Sequence, residues 1–501
     1  MQLPIQIEAA SGKSLQAQIA EQIRQLIVER RLAPGLRMPA SRELAGDLGV
    51  SRNTVTGAFA RLTAEGLLEA REPIGTFVAQ HLPVHGPPGT PAARPADGRS
   101  PGAHGRRRHH LKFHGQSHLV VAPWEDVLRH DFWIGRPDAR LFPLRRWQAL
   151  LMRMLRHSPR HLCAYGDPQG LPELRAAIAS HVGATRGIAT DASRILITNG
   201  IQEGLNIMAW LLITAGVKVA VENPCYRGAA HVFTGHGADL QPVRVDGEGI
   251  DVAALPKSAA LTYVTPSHQY PLGVPMSLAR RQALLAWAAD GGGYIAEDDY
   301  DSDFFYDGTP LPALKSLDRQ DQVIYFGTFS KSLGAGLRIG YMVLPAELCA
   351  PARHAKALLN NCQPWLEQAA LAAFIADGSY AEHLRRLRQL YAARRGHLCA
   401  ALAHGLPDWR IEGSGGGMHV VVRLPAGGPD AQAVEALARA HGIGVYGITN
   451  GNAQTFHIGH GHPLQRVLLF GYAAMNETEI SDAVLRLRHA VGVDALSGPP
   501  G

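Results

Sequence analysis

The sequence predicts an α/β chain in two parts: a small helical head with a β-wing, and a large body on a mainly parallel sheet. Three observations lead there. From about residue 116 to 490, short apolar runs ("RILIT", "KVAVE", "ALTYVT", "GYIAED", "QVIYFGTF") alternate with helical segments such as "QEGLNIMAWLLI" and "LARRQALLAWAAD". That is the pattern of parallel strands joined by helices. Residues 1–80 carry helical spacing that ends in two short β-like runs. Finally, 501 residues exceed what one hydrophobic core holds, so two or more domains are expected.

Composition narrows the class. Apolar content of 46% with 18% charged residues is that of a soluble globular protein. No stretch approaches the roughly 20 uncharged apolar residues of a membrane span, and "MQLPIQIEAASGKSLQAQ" lacks the layout of a secretory signal. The five cysteines, Cys163, Cys225, Cys349, Cys362 and Cys399, form no CxxC pair. A reducing, cytoplasmic setting is expected, with Cys225 a small buried spacer rather than a nucleophile. The net charge of +6 is local. Residues 1–80 hold nine basic and eight acidic side chains, residues 81–115 six and one, and the remainder 34 of each. The segment 81–115, rich in Pro, Gly, Arg and His, lacks the aliphatics needed to offset ordering entropy, so it is expected to be a flexible linker.

In the head, Leu15, Ile19, Ile23, Leu26 and Ile27 stand at helical spacing behind Ser14, an expected N-cap, and "APG" at 33–35 ends the helix. Ser41 is expected to cap a short helix reaching Leu48. Gly49 then turns the chain, and Ser51 caps a second helix whose inner face is Val55, Phe59 and Leu62. Two short helices across a glycine turn form a helix-turn-helix, whose second helix can enter a major groove. The first turn of that helix offers Ser51, Arg52, Asn53 and Thr54, all able to donate to phosphates or base edges. "LLEAREPIGTFVA" reads as two strands around Pro73–Gly75, a wing. The expected partner of this domain, residues 1–80, is double-stranded DNA.

"LRMPASRELAGDLGVSRNTVTGAFARLTAEGLLEAREPIGTFVA" resembles the winged helix-turn-helix of GntR-type bacterial regulators, which implies that Arg42, Arg52, Thr54 and Gly75 approach DNA. Where a second glycine is common in the wing, this chain reads "REPIGTF".

In the body, ligands of such sheets sit at the carboxyl ends of strands, and three clusters fall there. "GTFSKSLG" keeps one of only 7 lysines, against 42 arginines, at a strand's end. Lysine's amine can become a nucleophile and arginine's guanidinium cannot, so Lys331 is a candidate Schiff-base former. Thr328, Ser330 and Arg338 are placed to hold a phosphate. "EDDYD" after "GYIA" puts carboxylates where a pyridine nitrogen would need one. "ITNGIQEGLN" leads a strand through Gly200 into a helix, whose free N–H groups at Gly200, Ile201 and Gln202 suit an anion.

Together with "YGDPQGLPELRAAIA", "ENPCY", "TPSHQYPLG", "EDDYDSDFFYDG" and "GTFSKSLGAGLRIGY", these clusters resemble the fold-type I aminotransferases. With the head included, the chain is similar to the MocR-type regulators, which fuse a GntR head to an aminotransferase-like body. The resemblance implies a pyridoxal 5'-phosphate (PLP) cofactor with Lys331 carrying the internal aldimine. It implies Asp298 at the pyridine nitrogen, because Asp298 rather than its neighbour Asp299 lies 33 residues before Lys331. Tyr300 would bond the phenolic oxygen, and Tyr226 would stack on the ring. Thr328, Ser330, Arg338 and the 200–202 amides would hold the phosphate. Tyr165 would reach the phosphate of a neighbouring subunit, implying a homodimer. Arg466, before "VLLFGYA", would bind a substrate carboxylate. Either His268 or Gln269 would stand where ordinary aminotransferases place an asparagine. The body is bounded at 116–495.

The expected function is a PLP-dependent, DNA-binding transcriptional regulator that senses PLP or an amino compound through Lys331. The alternative is an active PLP-dependent aminotransferase acting on an amino acid, with the head as an accessory. No metal site and no membrane association are expected.

Overall fold

The computed structural model describes residues 3–8, 12–71, 73–80, 128–291, 293–308, 311–413, 415–457, 459 and 461–492. The chain divides into two compact units, Met1–His109 and His110–Gly501, described here in turn. The expected linker at 81–115 and the start of the expected body lie outside the described residues. Among the described residues no helix is long and apolar enough to cross a membrane.

The head packs α1 (Leu15–Val28), α2 (Ser41–Leu48) and α3 (Arg52–Ala64) beside a two-stranded wing, β1 (Leu68–Arg71) and β2 (Gly75–Val78). Ser14 caps α1, its hydroxyl accepting from the Ala17 amide at 3.3 Å. Ile19, Ile23 and Ile27 bury one stripe of α1 against Val55, Ala58 and Leu62 of α3, while Leu15 in its first turn stays exposed. Ser41 does not cap α2. It is the first helical residue, Ala40 holds the cap position without a side-chain bond, and the Ser41 hydroxyl instead faces Arg52 Nε at 3.4 Å. Gly49, at φ +65°, ends α2 in the left-handed conformation that glycine adopts without a Cβ penalty. Ser51 does cap α3, accepting from Thr54 N at 3.1 Å. The wing strands are antiparallel, Leu68 opposite Val78 and Arg71 opposite Gly75.

The body is built on an eight-stranded sheet. Its spatial order is Ile195–Thr198, Gly340–Val343, Val323–Thr328, Tyr294–Asp298, Leu261–Val264, Lys218–Asn223, Asp239–Asp246 and Gly249–Ile250. The five strands from Val323–Thr328 to Asp239–Asp246 run parallel, and Gly340–Val343 runs against both its neighbours. Strands Ile195–Thr198, Gly340–Val343 and Leu261–Val264 are buried throughout, and Val323–Thr328 up to its last residue, as expected when helices cover both faces. Alternate residues go to opposite sides. Leu196, Tyr263, Ala296 and Phe326 meet helices Ile201–Leu212 and Arg227–Gly235. Ile195, Ile197 and Tyr325 meet helices Pro172–Arg186 and Trp365–Ala376. Ile295 and Val323 meet helix Leu278–Gly291.

A second, antiparallel sheet runs in the order Arg410–Glu412, His419–Arg423, Val467–Gly471, Tyr446–Gly447. Leu468 and Phe470 turn one face of it to helices Ser379–Gly405 and Glu477–Ala490. Val467 and Leu469 turn the other toward Tyr226, Tyr270 and Tyr300, near the carboxyl ends of the parallel strands.

Candidate cofactor site and nucleic-acid interface

Strands Tyr294–Asp298 and Val323–Thr328 are parallel neighbours with Asp298 opposite Phe326, so their chain exits lie side by side. Three residues past the second strand, the half-buried Lys331 donates from Nζ to the Gly135 carbonyl at 3.2 Å. Burial lowers its pKa from the ordinary lysine value, against the opposing pull of Asp301 and then Asp298. An amine so placed is closer to the neutral, nucleophilic form.

Asp298 accepts from the Tyr263 hydroxyl at 2.6 Å through Oδ2, while its buried Oδ1 has no partner. Burial pushes its pKa up to about 7; the Tyr263 bond opposes this and the Asp299 charge adds to it. Asp299 Oδ2 receives Arg186 Nε at 2.7 Å, the Tyr325 hydroxyl at 2.6 Å and the Ser302 hydroxyl at 2.7 Å. Burial pushes this acid up, but Arg186 and those hydroxyls outweigh it and hold it below the usual range. Asp299 Oδ1 is also unpartnered, yet its carboxylate is already matched by a guanidinium. Of the two adjacent acids, Asp298 shares Lys331's field and lacks a matching cation of its own.

Gly200 (φ +76°) precedes helix Ile201–Leu212, whose first N–H groups lack intrahelical acceptors. A Cβ at Gly200 would stand 2.8 Å from Arg338 Nη2, so only glycine lets the guanidinium approach. Arg338 donates to the Asn199 carbonyl at 2.6 Å. Across from it, Thr328 Oγ1 lies 3.0 Å from Ser330 Oγ and accepts the Ser330 amide at 3.1 Å. Helix amides, hydroxyls and Arg338 thus make a candidate anion cradle at the strand ends.

Tyr226, Tyr270 and Tyr300 form an aromatic group, with ring centroids 6.1 Å apart for the first pair and 5.8 Å for the second. The Tyr226 hydroxyl also donates to Gln202 Oε1 at 3.4 Å. The Tyr300 hydroxyl donates to the His268 carbonyl at 3.0 Å and lies 3.1 Å from His268 Nδ1. His268 Nδ1 is also 3.0 Å from Asp301 Oδ2. Burial lowers the His268 pKa, but Asp301 outweighs it and the net direction is up. Gln269 is spent elsewhere, on Glu222 at 3.2 Å and the Pro224 and Tyr270 carbonyls at 2.8 Å each. Between the two side chains of "TPSHQYPLG", His268 is the one beside Tyr300.

Sequence reasoning missed His419, whose ring centroid is 4.8 Å from that of His268. Burial and then the His268 charge push it down to about 3. His268, Asp301 and His419 present ligating atoms within 4.8 Å of one another. His268 Nδ1 is paired with Asp301, and His419 Nε2 lies 3.0 Å from the Pro271 carbonyl, so each of the three already has a protein partner. Gly135 and Tyr263 were also missed. Neither carries a local signal, since each reaches the site through long-range packing. Cys225 is buried and its thiol pushed up by burial, in line with a spacer.

Two expected residues are not brought in. Arg466 donates to the carbonyls of Pro425 and Gly428, the latter at 2.8 Å, and clamps the loop before helix Ala431–Ala440. Tyr165 is 86% exposed. In the head, Arg42, Ser51, Arg52, Asn53 and Gly75 are exposed and Thr54 is half-buried. The Ser51 and Thr54 hydroxyls lie 2.8 Å apart, so part of their capacity goes to capping α3.

A helix-turn-helix head and an α/β body with a strand-end lysine, an anion cradle and a buried acid define a DNA-binding protein carrying an aminotransferase-like domain. Residues 15–78 match the family described as "Bacterial regulatory proteins, gntR family", and residues 136–486 match "Aminotransferase class I and II". The chain is 35% identical to the probable rhizopine catabolism regulatory protein MocR of Rhizobium meliloti, over 94% of this chain and 93% of that one. It is 34% identical to the regulator TauR of Rhodobacter capsulatus, over 86% and 88%. To the pyridoxine biosynthesis regulator PdxR of Corynebacterium glutamicum it is 30% identical, over 96% and 98%. The body is similar to kynurenine aminotransferase of Pyrococcus horikoshii, at 25% identity and TM-score 0.66, over 75% of this chain and 93% of that one. It is likewise similar to the α-aminoadipate aminotransferase LysN of Thermus thermophilus, at 28% identity and TM-score 0.65, over 73% and 93%. The chain belongs to the MocR-type subfamily of GntR transcriptional regulators, and its body is a fold-type I aminotransferase-like domain.

Proposed function

We propose that this regulator binds PLP covalently through Lys331 and uses the loaded body to sense PLP itself or an amino compound. The observation that carries the reading is the unpartnered Oδ1 of Asp298, a buried carboxylate oxygen in a site that already holds a half-buried amine and an anion cradle. A protonated pyridine nitrogen would supply the missing donor. Both solved relatives named above were captured with pyridoxyl ligands: PMP in one, N-(5'-phosphopyridoxyl)-L-leucine in the other.

In this reading the cofactor supplies a carbonyl that condenses with amines. The residues of the chain do the rest. Burial disfavours the charged form of Lys331 and so favours the nucleophilic amine. Asp298 would hold a proton on the ring nitrogen. Tyr300, set by His268, would bond the phenolic oxygen, and Tyr226 would cover the ring. Thr328, Ser330, Arg338 and the amides of residues 200–202 would hold the phosphate, and Tyr165 of a second copy would reach the same phosphate across a homodimer. The head would read its operator through Arg42, Ser51, Arg52, Asn53, Thr54 and Gly75. A ligand changes DNA binding only by the difference in its affinity for two arrangements of the protein, and displacing Lys331 is the event that would create that difference. The work would take place in the cytoplasm, where the DNA is.

The first measurement is the visible absorbance of protein incubated with PLP, followed by borohydride reduction and mapping of the labelled peptide. A label on Lys331 is expected; a colourless protein sinks the proposal. The second is binding to the DNA upstream of its own gene, with and without PLP and amines. The match to aminotransferases keeps one rival alive, a working transaminase, which multiple turnover with an amino donor and a keto acid would establish.

A further inference from the structure

The groups around Lys331 bear on the class of amine that can react there, provided the site holds PLP as proposed. Gly135, whose carbonyl accepts from Lys331 Nζ, follows Ile134, and Ile134 belongs to one buried cluster with Tyr270, Ala453 and Leu469. A Cβ placed on Gly451 would meet Leu469 Cδ1 at 2.7 Å and Ile134 Cδ1 at 3.3 Å, so this wall is closed and apolar. Strand Val467–Gly471 alternates, and the residues it turns toward the tyrosines are Val467 and Leu469. Neither carries a charge.

The nearby cations are already engaged. Arg136 pairs with Asp131 at 2.7 Å, and that acid also accepts from the Tyr446 hydroxyl at 2.7 Å. Arg227 braces the Thr449 and Ala453 carbonyls. Arg466 clamps Pro425 and Gly428, Arg338 belongs to the anion cradle, and His268 is paired with Asp301. The acids form a buried group: Asp298, Asp301 and Glu222. A carboxylate entering here would lose its water beside buried acids without gaining an unengaged cation.

We infer that the small molecule reacting at Lys331 is a primary amine with no carboxylate on the carbon that bears the nitrogen. Its nitrogen takes the lysine's place on the cofactor carbon. One carbon–nitrogen linkage forms as the linkage to Lys331 breaks, and the two hydrogens that the incoming ammonium gives up end on the Lys331 nitrogen, which is freed as an ammonium. No oxidant or water is consumed.

The test uses PLP-loaded full-length protein and matched pairs: ethylamine and alanine, 3-methylbutylamine and leucine, 2-phenylethylamine and phenylalanine. The shift in visible absorbance gives a dissociation constant for each. The amine of each pair is expected to bind at least about tenfold more tightly, the ratio that a difference of about 1.4 kcal/mol produces. Leu469→Arg, which puts a cation on the wall, is expected to reverse the preference, and Leu469→Met to leave it unchanged. Should Leu469→Arg fail to fold, the wild-type ratios decide. Tighter binding of the amino acids overturns the inference, and its loss in Arg227→Met would identify Arg227 as the anchor. If the yellow, borohydride-trappable band forms but no probe alters it, the inference fails and the cofactor reading stands. If no band forms, the cofactor reading itself fails.

Discussion

Gly135→Ala separates the stability of the body from the chemistry of Lys331. Gly135 sits at φ +67°, where an alanine costs roughly 1–2 kcal/mol. Its new Cβ would stand 2.5 Å from Lys331 Nζ and 3.2 Å from Cε, against an ordinary contact of about 3.5 Å. The amine must therefore retreat by about 1 Å, lengthening or breaking its 3.2 Å bond to the Gly135 carbonyl, a loss of about 1 kcal/mol. The sum is about 2–3 kcal/mol, a fall in melting temperature of about 2–4 °C for a unit as large as His110–Gly501, at roughly 1.2 °C per kcal/mol. The effect on chemistry should be larger, because a misplacement of about 1 Å costs on the order of 100-fold in rate. The assay pairs calorimetry of cofactor-free protein with the rate at which the visible band appears after adding PLP. Gly336→Ala is the control in a neighbouring loop, since its Cβ meets nothing within 4 Å and its φ is not positive. A folded Gly135→Ala protein that acquires the band at the wild-type rate would refute the placement of the amine.

Other perturbations test the remaining parts. Asp298 is raised to about 7 when folded and titrates near 3.9 when unfolded. Between those values the folded state holds the extra proton, so cofactor-free protein loses stability as pH rises from about 4 to 7. Asp298→Asn should flatten that slope in urea titrations at several pH values and weaken PLP binding at least tenfold, about 1.4 kcal/mol. His419 has the opposite sign. It is held neutral down to about 3 against about 6.5 unfolded, so stability falls as pH drops through that window, and His419→Phe should reduce the fall. In the head, Ser51→Ala removes the bond to Thr54 N and should cost about 1 kcal/mol by thermal melting. Arg52→Ala should reduce by about one the slope of log affinity for DNA against log salt.

Local chemistry in the chain was enough to locate much of this molecule. Alternating apolar and helical runs placed the parallel strands, because a strand buried on both faces must be apolar throughout. Ser51 and Gly49 announced the turn into α3 through capping and left-handed geometry that depend only on neighbours. Ser41 misled because Ala40, one residue earlier, already holds the cap position; an N-cap assignment fails on an error of one residue. Asp298 and Asp299 are adjacent, and beyond the spacing to Lys331 it is the distant Arg186 and Tyr325 that set them apart by claiming Asp299. Arg466 misled for a related reason. It is the residue before the strand, and which of its successors face the site is set by pairing with His419–Arg423, which no local pattern reports. Gly135 lies 196 residues from Lys331, beyond the reach of any spacing argument.

The group of acids in the body makes a physical case that its arrangement serves a ligand. Glu222, raised to about 7 by burial, is at least bonded by Thr265 and Gln269. Asp301 is matched by His268 and Asp299 by Arg186. Asp298 alone has one oxygen bonded by a neutral phenol, the other bare, and a half-buried lysine as its nearest compensation. An unmatched buried carboxylate costs more than an apolar residue of its size, so a body whose sole task were to hold a fold would gain by replacing it. Glu222 and Asp299 each leave one oxygen bare as well, but each has several donors on the other, so the largest deficit sits at Asp298, and strain kept at one spot marks a functional position. The deficit at Asp298 is one cationic N–H, and a ligand that supplies it should stabilise the body more strongly above pH 7, where Asp298 is charged, than below.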